Sequence, residues 1–307
     1  MPELPDITVY VERLRAKLVG QELRGVRLPS SFLLRTVAPP LATAIGMTVV
    51  TIERLGKRIV IELAAPGASL FLVLHLMVAG RLRWKKPNAA LPGKMALAAF
   101  DFTTGTLLLT EASGKKRAAL HVVADRTALA AFDRGGLNVM QVTTREFAER
   151  LRTERHTIKR SLTDPTMVDG IGNAYSDEIL HRARLSPFRL TTALDDLEMA
   201  RLHQACIATM QWWTEHLRAE VGDGFPDVVT AFRPEMAVHG KYNQPCPVCG
   251  QKVQRVVYAE NEANYCAICQ TEGRLLADRA LSRLLKADWP RTYEELEERK
   301  ALVKNRP

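Results

Sequence analysis

Apolar residues recur every third or fourth position near the start of the chain. Ile7, Tyr10, Val11, Leu14 and Leu18 fall on one face at helical spacing and predict a helix over 7–18. Pro5-Asp6 supplies the start signal, with Asp6 as N-cap. Met1-Pro2-Glu3 therefore stands just ahead of a helix N-terminus and its partial positive charge. From about 21 to 130 the period changes. Short runs at 48–52, 59–63, 70–76, 96–102 and 106–110 are β-branched, apolar or alternating, and Gly, Pro and Asn punctuate them. That pattern predicts an all-β block of sandwich or barrel type. Asp133-Arg134-Gly135-Gly136 reads as a linker. A helical period returns over about 143–220, with helices expected at 144–151, 156–162 and 173–183, and one or two more over 194–221. Residues 164–172 are rich in turn formers, 240–270 hold a cysteine module, and the tail from 274 to 307 reads as helical with mixed charge.

The fold class expected is α+β. The domains expected are a helix plus β-sandwich over 1–132, a helical domain over 133–237, a cysteine hairpin over 238–270 and a helical extension over 271–307. The length of 307 residues agrees, at about 150 residues per domain, with two domains and a small satellite.

Composition narrows the function class. Apolar residues make up 47% and charged residues 25%, which excludes a wholly disordered chain, a collagen or a coiled-coil array. The longest apolar run, 69–80, is interrupted by His75 and falls short of the roughly 20 residues that a membrane span needs. Glu3 and Asp6, with no apolar core segment beside them, do not form a signal peptide, so a cytoplasmic protein with no membrane partner is expected. Lys and Arg total 43 against 34 Asp and Glu, a net charge of +9, which favours a polyanion as ligand.

The five cysteines are Cys206, Cys246, Cys249, Cys266 and Cys269. Four form two CxxC pairs separated by sixteen residues, the spacing of a four-cysteine zinc ribbon. All four ligands come from protein, so one structural Zn2+ with no open position is expected. Cys206, in a helical stretch, reads as a small buried apolar residue.

Pro2 follows Met1 directly. Removal of Met1 exposes a secondary amine that can attack an aldehyde and form an iminium, an electron sink for elimination. Glu3 beside it is a general acid or base within reach.

These features occur together in a known order. Met1-Pro2-Glu3-Leu4-Pro5-Asp6, Leu55-Gly56-Lys57-Arg58, His75-Leu76 with Gly80-Arg81-Leu82, Ile158-Lys159 through Asp169-Gly170-Ile171-Gly172-Asn173-Ala174-Tyr175, and the cysteine hairpin resemble the formamidopyrimidine-DNA glycosylase/endonuclease VIII family over about residues 1 to 270. The resemblance implies a β-sandwich catalytic domain and a helix–two-turn–helix domain with a zinc hairpin, the DNA lying between. It implies Pro2 as nucleophile at the sugar C1′, Glu3 as the proton donor to the sugar, and Lys57 as a phosphate contact that assists proton transfer. Lys94, Lys116, Arg117, Arg155, Lys159, Asn173 and Arg255 are the DNA-binding positions it suggests, with Asn173 also capping its helix.

The chain departs from the family at three places. Asn261 stands where the zinc hairpin usually carries an arginine, which bears on δ-elimination. Val78 stands where the family has a methionine, and Ser113-Gly114-Lys115-Lys116-Arg117-Ala118 has no aromatic wedge. A weaker wedge points to lower activity on intact duplex, or to a preference for single strands, bubbles or already disrupted pairs, since wedges offset the cost of base flipping. The expected activity is removal of damaged, oxidised bases and nicking of the abasic site by β-elimination, by a monomer acting on damaged DNA. The alternatives are a non-cutting damaged-DNA binder of the same family and a zinc-ribbon RNA-binding protein.

Overall fold

A computed structural model describes residues 1–258, 261–277 and 288–304. The chain forms two compact units, Met1–Gly135 with Gln211–Thr230, and Gly136–Met210 with Ala231–Pro307.

In the first unit, helix α1 (Leu4–Leu18) begins earlier than the apolar period alone indicates. Glu3, not Asp6, is its N-cap; Asp6 lies at the third helical position, and its carboxylate accepts from the Glu3 N–H at 3.0 Å. Pro5 fits the first turn because its missing N–H would have no helical partner there. The expected apolar face is buried.

Eight strands follow: β1 (Leu23–Arg27), β2 (Thr48–Leu55), β3 (Arg58–Ala65), β4 (Ala68–His75), β5 (Gly80–Lys85), β6 (Ala96–Phe102), β7 (Thr106–Glu111) and β8 (Ala119–Val123). They pair antiparallel in two four-stranded sheets, ordered β1-β6-β7-β5 and β2-β3-β4-β8. Leu72 and Leu74 face the main core with Ile59, Ile61, Leu107, Leu109 and the α1 face. Val60, Phe71, Val73 and Val123 face the other way, against Leu129 of helix α2 (Arg126–Ala130). Burial on both faces explains why the stretch at 70–74 is continuously apolar instead of alternating.

Residues 211–230 fall in the span that the sequence assigns to the helical domain, yet they pack with the first unit. The Phe225 ring lies 5.7 Å from that of Tyr10, Val229 joins the core, and Arg218 forms an ion pair with Glu12 at 2.6 Å.

The second unit contains α3 (Thr144–Arg152), α4 (Ile158–Thr163), α5 (Asn173–Ala183), the first half of α6 (Asp196–Val221), the hairpin of β9 (Gln254–Tyr258) and β10 (Asn261–Tyr265), α7 (Ala267–Thr271) and α8 (Tyr293–Lys304). α6 is one continuous helix of 26 residues. The tail docks on the cysteine hairpin: Tyr293 packs with Val256, Tyr265 and Ala267, and the Tyr265 hydroxyl accepts from the Leu276 N–H at 2.8 Å. Among the described residues, no helix is long and apolar enough to cross a membrane.

Candidate functional site

Three assemblies of charged or soft side chains stand out, one in the first unit and two in the second. The first surrounds the chain start. Pro2 is buried and Glu3 is 3% exposed, because α1 draws both against the sandwich. Burial pushes the terminal ammonium of Met1 below its ordinary value of 8.0; Glu3 and Asp6 oppose that shift, while Arg81 and Lys57 add to it. Lys57 thus acts on the same amine from the β2–β3 turn. That turn has two central residues, Gly56 and Lys57, and Leu55 pairs with Arg58 across it. Gly56 takes φ +64°, the conformation that a glycine provides at the first position of a two-residue hairpin, and Arg54 donates to the Gly56 carbonyl at 2.8 Å. Asp6, by holding the Glu3 backbone, fixes the direction in which the Glu3 carboxylate leaves the helix end.

Arg81 lies in one of the motifs that carry the resemblance, with no role expected of it from the sequence. Its guanidinium donates to the carbonyls of Val78 at 3.2 Å, Gly80 at 2.7 Å and Val229 at 2.7 Å, tying the turn after β4 to the 222–230 segment. The tip of that turn is exposed: Val78 shows 55% of its surface, and the neighbouring Met77 takes φ +52°. Behind it, a cationic cluster closes the end of the second sheet. His75 is pushed down to about 4 by burial, and further by Arg58, Lys57 and His121.

The basic residues expected at nucleic acid divide into two groups. Lys94 is exposed on a single 3-10 turn (Gly93–Met95), and Arg117 and Arg155 are exposed on loops. Lys116 is half-buried, and its ammonium folds back onto the Glu111 carbonyl of its own loop. The buried Glu111 carboxylate pins that loop by accepting from the N–H groups of Arg117 and Ala118 at 3.0 and 3.2 Å. Lys159 is a correction. It is 2% exposed, and its ammonium donates to Asp177 at 2.6 Å, Ser176 at 2.9 Å and the Asn173 carbonyl at 3.1 Å, so all three protons are used inside the unit. Asn173 is likewise not a cap: Gly172 is the N-cap of α5, and Asn173 is its first helical residue. Gly170 (φ +79°) and the N-cap Gly172 bring no side chain of their own to the α5 N-terminus, and both are buried. Arg255 is exposed on β9, stacks over the Tyr242 ring at 4.3 Å and pairs with Glu262 at 3.7 Å.

The second assembly, in the second unit, is the cysteine cluster; the third is the polar face of α5. Each CxxC lies on a tight knuckle, with Gly250 donating to the Cys246 carbonyl at 2.9 Å and Gln270 donating to that of Cys266 at 3.0 Å. All four Sγ atoms lie within 4.8 Å of one another. Two pairs are 3.4 and 3.9 Å apart, too far for a disulfide and on either side of the value of about 3.8 Å that a tetrahedral site with metal–sulfur bonds near 2.3 Å requires. The four residues fit a zinc ion.

Sequence patterning missed the polar face of α5. Asp177, one of its residues, accepts from Lys159, from His239 Nδ1 at 2.8 Å and from Asn264 at 3.2 Å. Glu178 accepts from the N–H groups of Ala237, Val238 and His239 at 2.7 to 2.9 Å. In sequence the helix is mixed, with Asn173, Ser176, His181 and Arg182 beside the two carboxylates, so nothing marked Asp177 and Glu178 as buried.

Known proteins share this organisation. The formamidopyrimidine-DNA glycosylase N-terminal domain model matches residues 1–119, and the formamidopyrimidine-DNA glycosylase H2TH domain model matches residues 138–218. An uncharacterized formamidopyrimidine-DNA glycosylase-like protein of Mycobacterium tuberculosis is 40% identical over 151 residues, covering 49% of this chain and 94% of that protein. The formamidopyrimidine-DNA glycosylase of Pelotomaculum thermopropionicum is 30% identical over 279 residues, covering 88% of this chain and 99% of the relative. The crystal structure of Lactococcus lactis formamidopyrimidine-DNA glycosylase bound to DNA containing an abasic site superimposes with a TM-score of 0.76 at 25% identity, covering 88% of this chain and 99% of that one. Sequence, domain order and fold agree: the chain belongs to the formamidopyrimidine-DNA glycosylase/endonuclease VIII family.

Proposed function

We propose that the chain is a base-excision DNA glycosylase that removes oxidised bases and then nicks the abasic site by β-elimination. The observation that carries this reading is the buried chain start, where Glu3 and Lys57 both act on the terminal amine. Once Met1 is removed, the buried Pro2 nitrogen becomes the terminal amine in that setting; burial disfavours its charged form, and the unprotonated amine is the nucleophile.

With Met1 removed, the Pro2 nitrogen attacks C1′ of the damaged nucleoside while Glu3 protonates the opening sugar ring and the base departs. The resulting iminium acidifies C2′; loss of a C2′ proton expels the 3′-phosphate, and water then releases the amine. Lys57 contacts a phosphate and assists proton transfer. Lys94, Arg117, Arg155, Asn173 and Arg255 contribute positive charge or phosphate contacts along the DNA, and the α5 N-terminus receives one phosphate. One zinc ion, held by Cys246, Cys249, Cys266 and Cys269, supplies a structural cross-link between the two knuckles.

The exposed Val78 and the 113–118 loop without an aromatic offer little to fill the space of a flipped base. Disrupted pairs, bubbles and single strands should therefore be processed at least as well as intact duplex. The protein acts as a cytoplasmic monomer. A non-cutting binder has no use for a buried amine beside a carboxylate, which disfavours that alternative.

Borohydride trapping on an abasic-site oligonucleotide tests the reading, with the N-terminus of each preparation read by mass spectrometry. Protein that begins at Pro2 should give a covalent adduct. Pro2→Gln, whose bulk at position 2 keeps Met1 in place, should give none. Glu3→Gln should trap preformed abasic DNA yet fail to release a damaged base. Binding without any adduct by protein beginning at Pro2 would overturn the lyase assignment.

A further inference from the structure

The polar face of α5 ends at the cysteine cluster. One turn beyond Asp177, His181 brings Nε2 to 3.3 Å from the Sγ of Cys246. Both residues are nearly sealed from water, at 7% and 2% exposure. Neighbouring contacts fix the approach of the two. Glu178 holds the backbone at 237–239, Asn264 of β10 donates to Asp177, and Gln270 bridges the Cys266 N–H and the Leu185 carbonyl at 2.9 Å each. The knuckle is therefore docked on the helix at several points, and His181 meets the one sulfur of the first CxxC that faces inward; Cys249, its partner, is exposed.

A phenylalanine or leucine would fill the same buried place. What the imidazole adds is a hydrogen bond. A metal-bound thiolate has no proton and can only accept, so Nε2 must carry the hydrogen. Such outer-shell donors delocalise ligand charge, fix ligand orientation and commonly change metal retention 10- to 100-fold. Metal loss requires a proton to reach a ligand sulfur as its metal bond breaks. A sulfur already sharing a hydrogen bond, in a site closed to water, accepts that proton less readily.

We propose that His181 is a positioning residue of the metal centre, donating an N–H···S hydrogen bond to the Cys246 thiolate that ties the first knuckle to the helix–two-turn–helix and slows metal loss. The proposal rests on the reading of the cluster as a zinc site.

The test uses the full chain with its metal content measured. In His181→Phe, zinc should pass to a competing chelator about tenfold faster. His181→Gln, which keeps an N–H donor, should recover part of the difference. With cobalt(II) in place of zinc, the thiolate-to-metal charge-transfer band should move to lower energy in His181→Phe, because a sulfur without its hydrogen bond is the better electron donor. A space-filling histidine would leave that band in place. Should His181→Phe fail to fold, cadmium-113-loaded wild-type protein decides: the His181 ring proton should reside on Nε2 and show scalar coupling to the metal. Equal release rates with an unmoved band, or a proton on Nδ1, would overturn the proposal with one metal still bound per chain. A chain that takes up neither zinc nor cobalt would overturn the zinc reading and this proposal together.

Discussion

The β-sandwich and the unit that carries the cysteine hairpin hold themselves together differently. In the first, the residues behind the site are Ile, Leu, Val and Phe in one continuous core, and the buried charges described there, Glu3, Asp6 and Glu111, are held largely by backbone N–H groups. In the second, Lys159, Asp177, Glu178, His181, His239 and Asn264 are all buried and bond to one another, to Cys246 or to a neighbouring loop, with the Asn264 Oδ1 left without a partner among the described residues. Apolar packing tolerates substitution of similar volume. A buried polar network does not, since removing one partner strands another. The difference teaches where each unit is fragile, and four perturbations test it.

Metal removal should have the largest effect. Structural zinc in small modules contributes an apparent 10 to 16 kcal/mol, roughly, to folding. Chelation, or Cys266→Ser, should unfold the β9–β10 hairpin and release Tyr293 and α8 from it, while the sandwich keeps its fold. Hydrogen exchange reads both at once: fast exchange across Gln254–Tyr258 with Ile59 and Leu72 still protected. Loss of protection in both units would mean that they are not independent, and the contrast drawn between them would fail.

Breaking the Lys159–Asp177 pair comes next. Lys159→Met leaves the buried Asp177 carboxylate without its cation, with His239 and Asn264 as its remaining hydrogen-bond partners among the described residues, a change that costs about 3–5 kcal/mol in comparable sites. Adding Asp177→Asn removes the stranded charge and should recover part of that loss in urea unfolding. A Lys159→Met variant as stable as the parent would show that the network is not what holds α4 to α5.

These two assemblies also mark what the sequence could and could not disclose. The cysteines were legible because a metal demands fixed ligand types at fixed spacing. The α1 face and five of the strands were legible because burial imposes a period. β1, β5 and β8 were not singled out: β1 and β8 have five residues each, and β1 and β5 carry exposed arginines, Arg24 and Arg83. Lys159 read as a phosphate ligand because a lysine beside a glycine-rich turn looks the same in sequence whether its ammonium points outward or toward Asp177. Only the fold supplies that carboxylate, 18 residues away. The Glu3 N-cap was displaced by one turn for a similar reason, since Asp6 can serve either end of a reciprocal cap. The position of Asn261 lies on β10, but its side chain falls outside the described residues.

A cavity in the sandwich should rank third. Leu72 is 1% exposed and sits in the main core, so Leu72→Ala should cost about 2–5 kcal/mol, while Leu72→Met should cost less than about 1.5. Thermal unfolding of the two variants gives the comparison directly. Near-equal losses would mean that shape, and not volume, governs this core, making it as exacting as the polar network of the other unit.

The smallest effect separates the units by pH. His75 titrates near 4 in the folded chain, chiefly because it is buried and then because Arg58, Lys57 and His121 surround it, whereas an unfolded histidine titrates near 6.5. Between those values the unfolded chain binds the extra proton. Stability of the first unit is therefore full above about 6.5 and falls as the pH drops toward 4. Allowing for solvent access to a partly exposed ring, the loss should be on the order of 1–2 kcal/mol. Three of the four tryptophans, Trp84, Trp212 and Trp213, belong to this unit, so intrinsic fluorescence follows its unfolding. His75→Gln should flatten the slope between pH 6.5 and 4 and leave the curve above 6.5 in place. An unchanged slope would place the acid sensitivity with other groups, and the cationic end of the second sheet would then be open enough to water to hold a protonated ring at little cost.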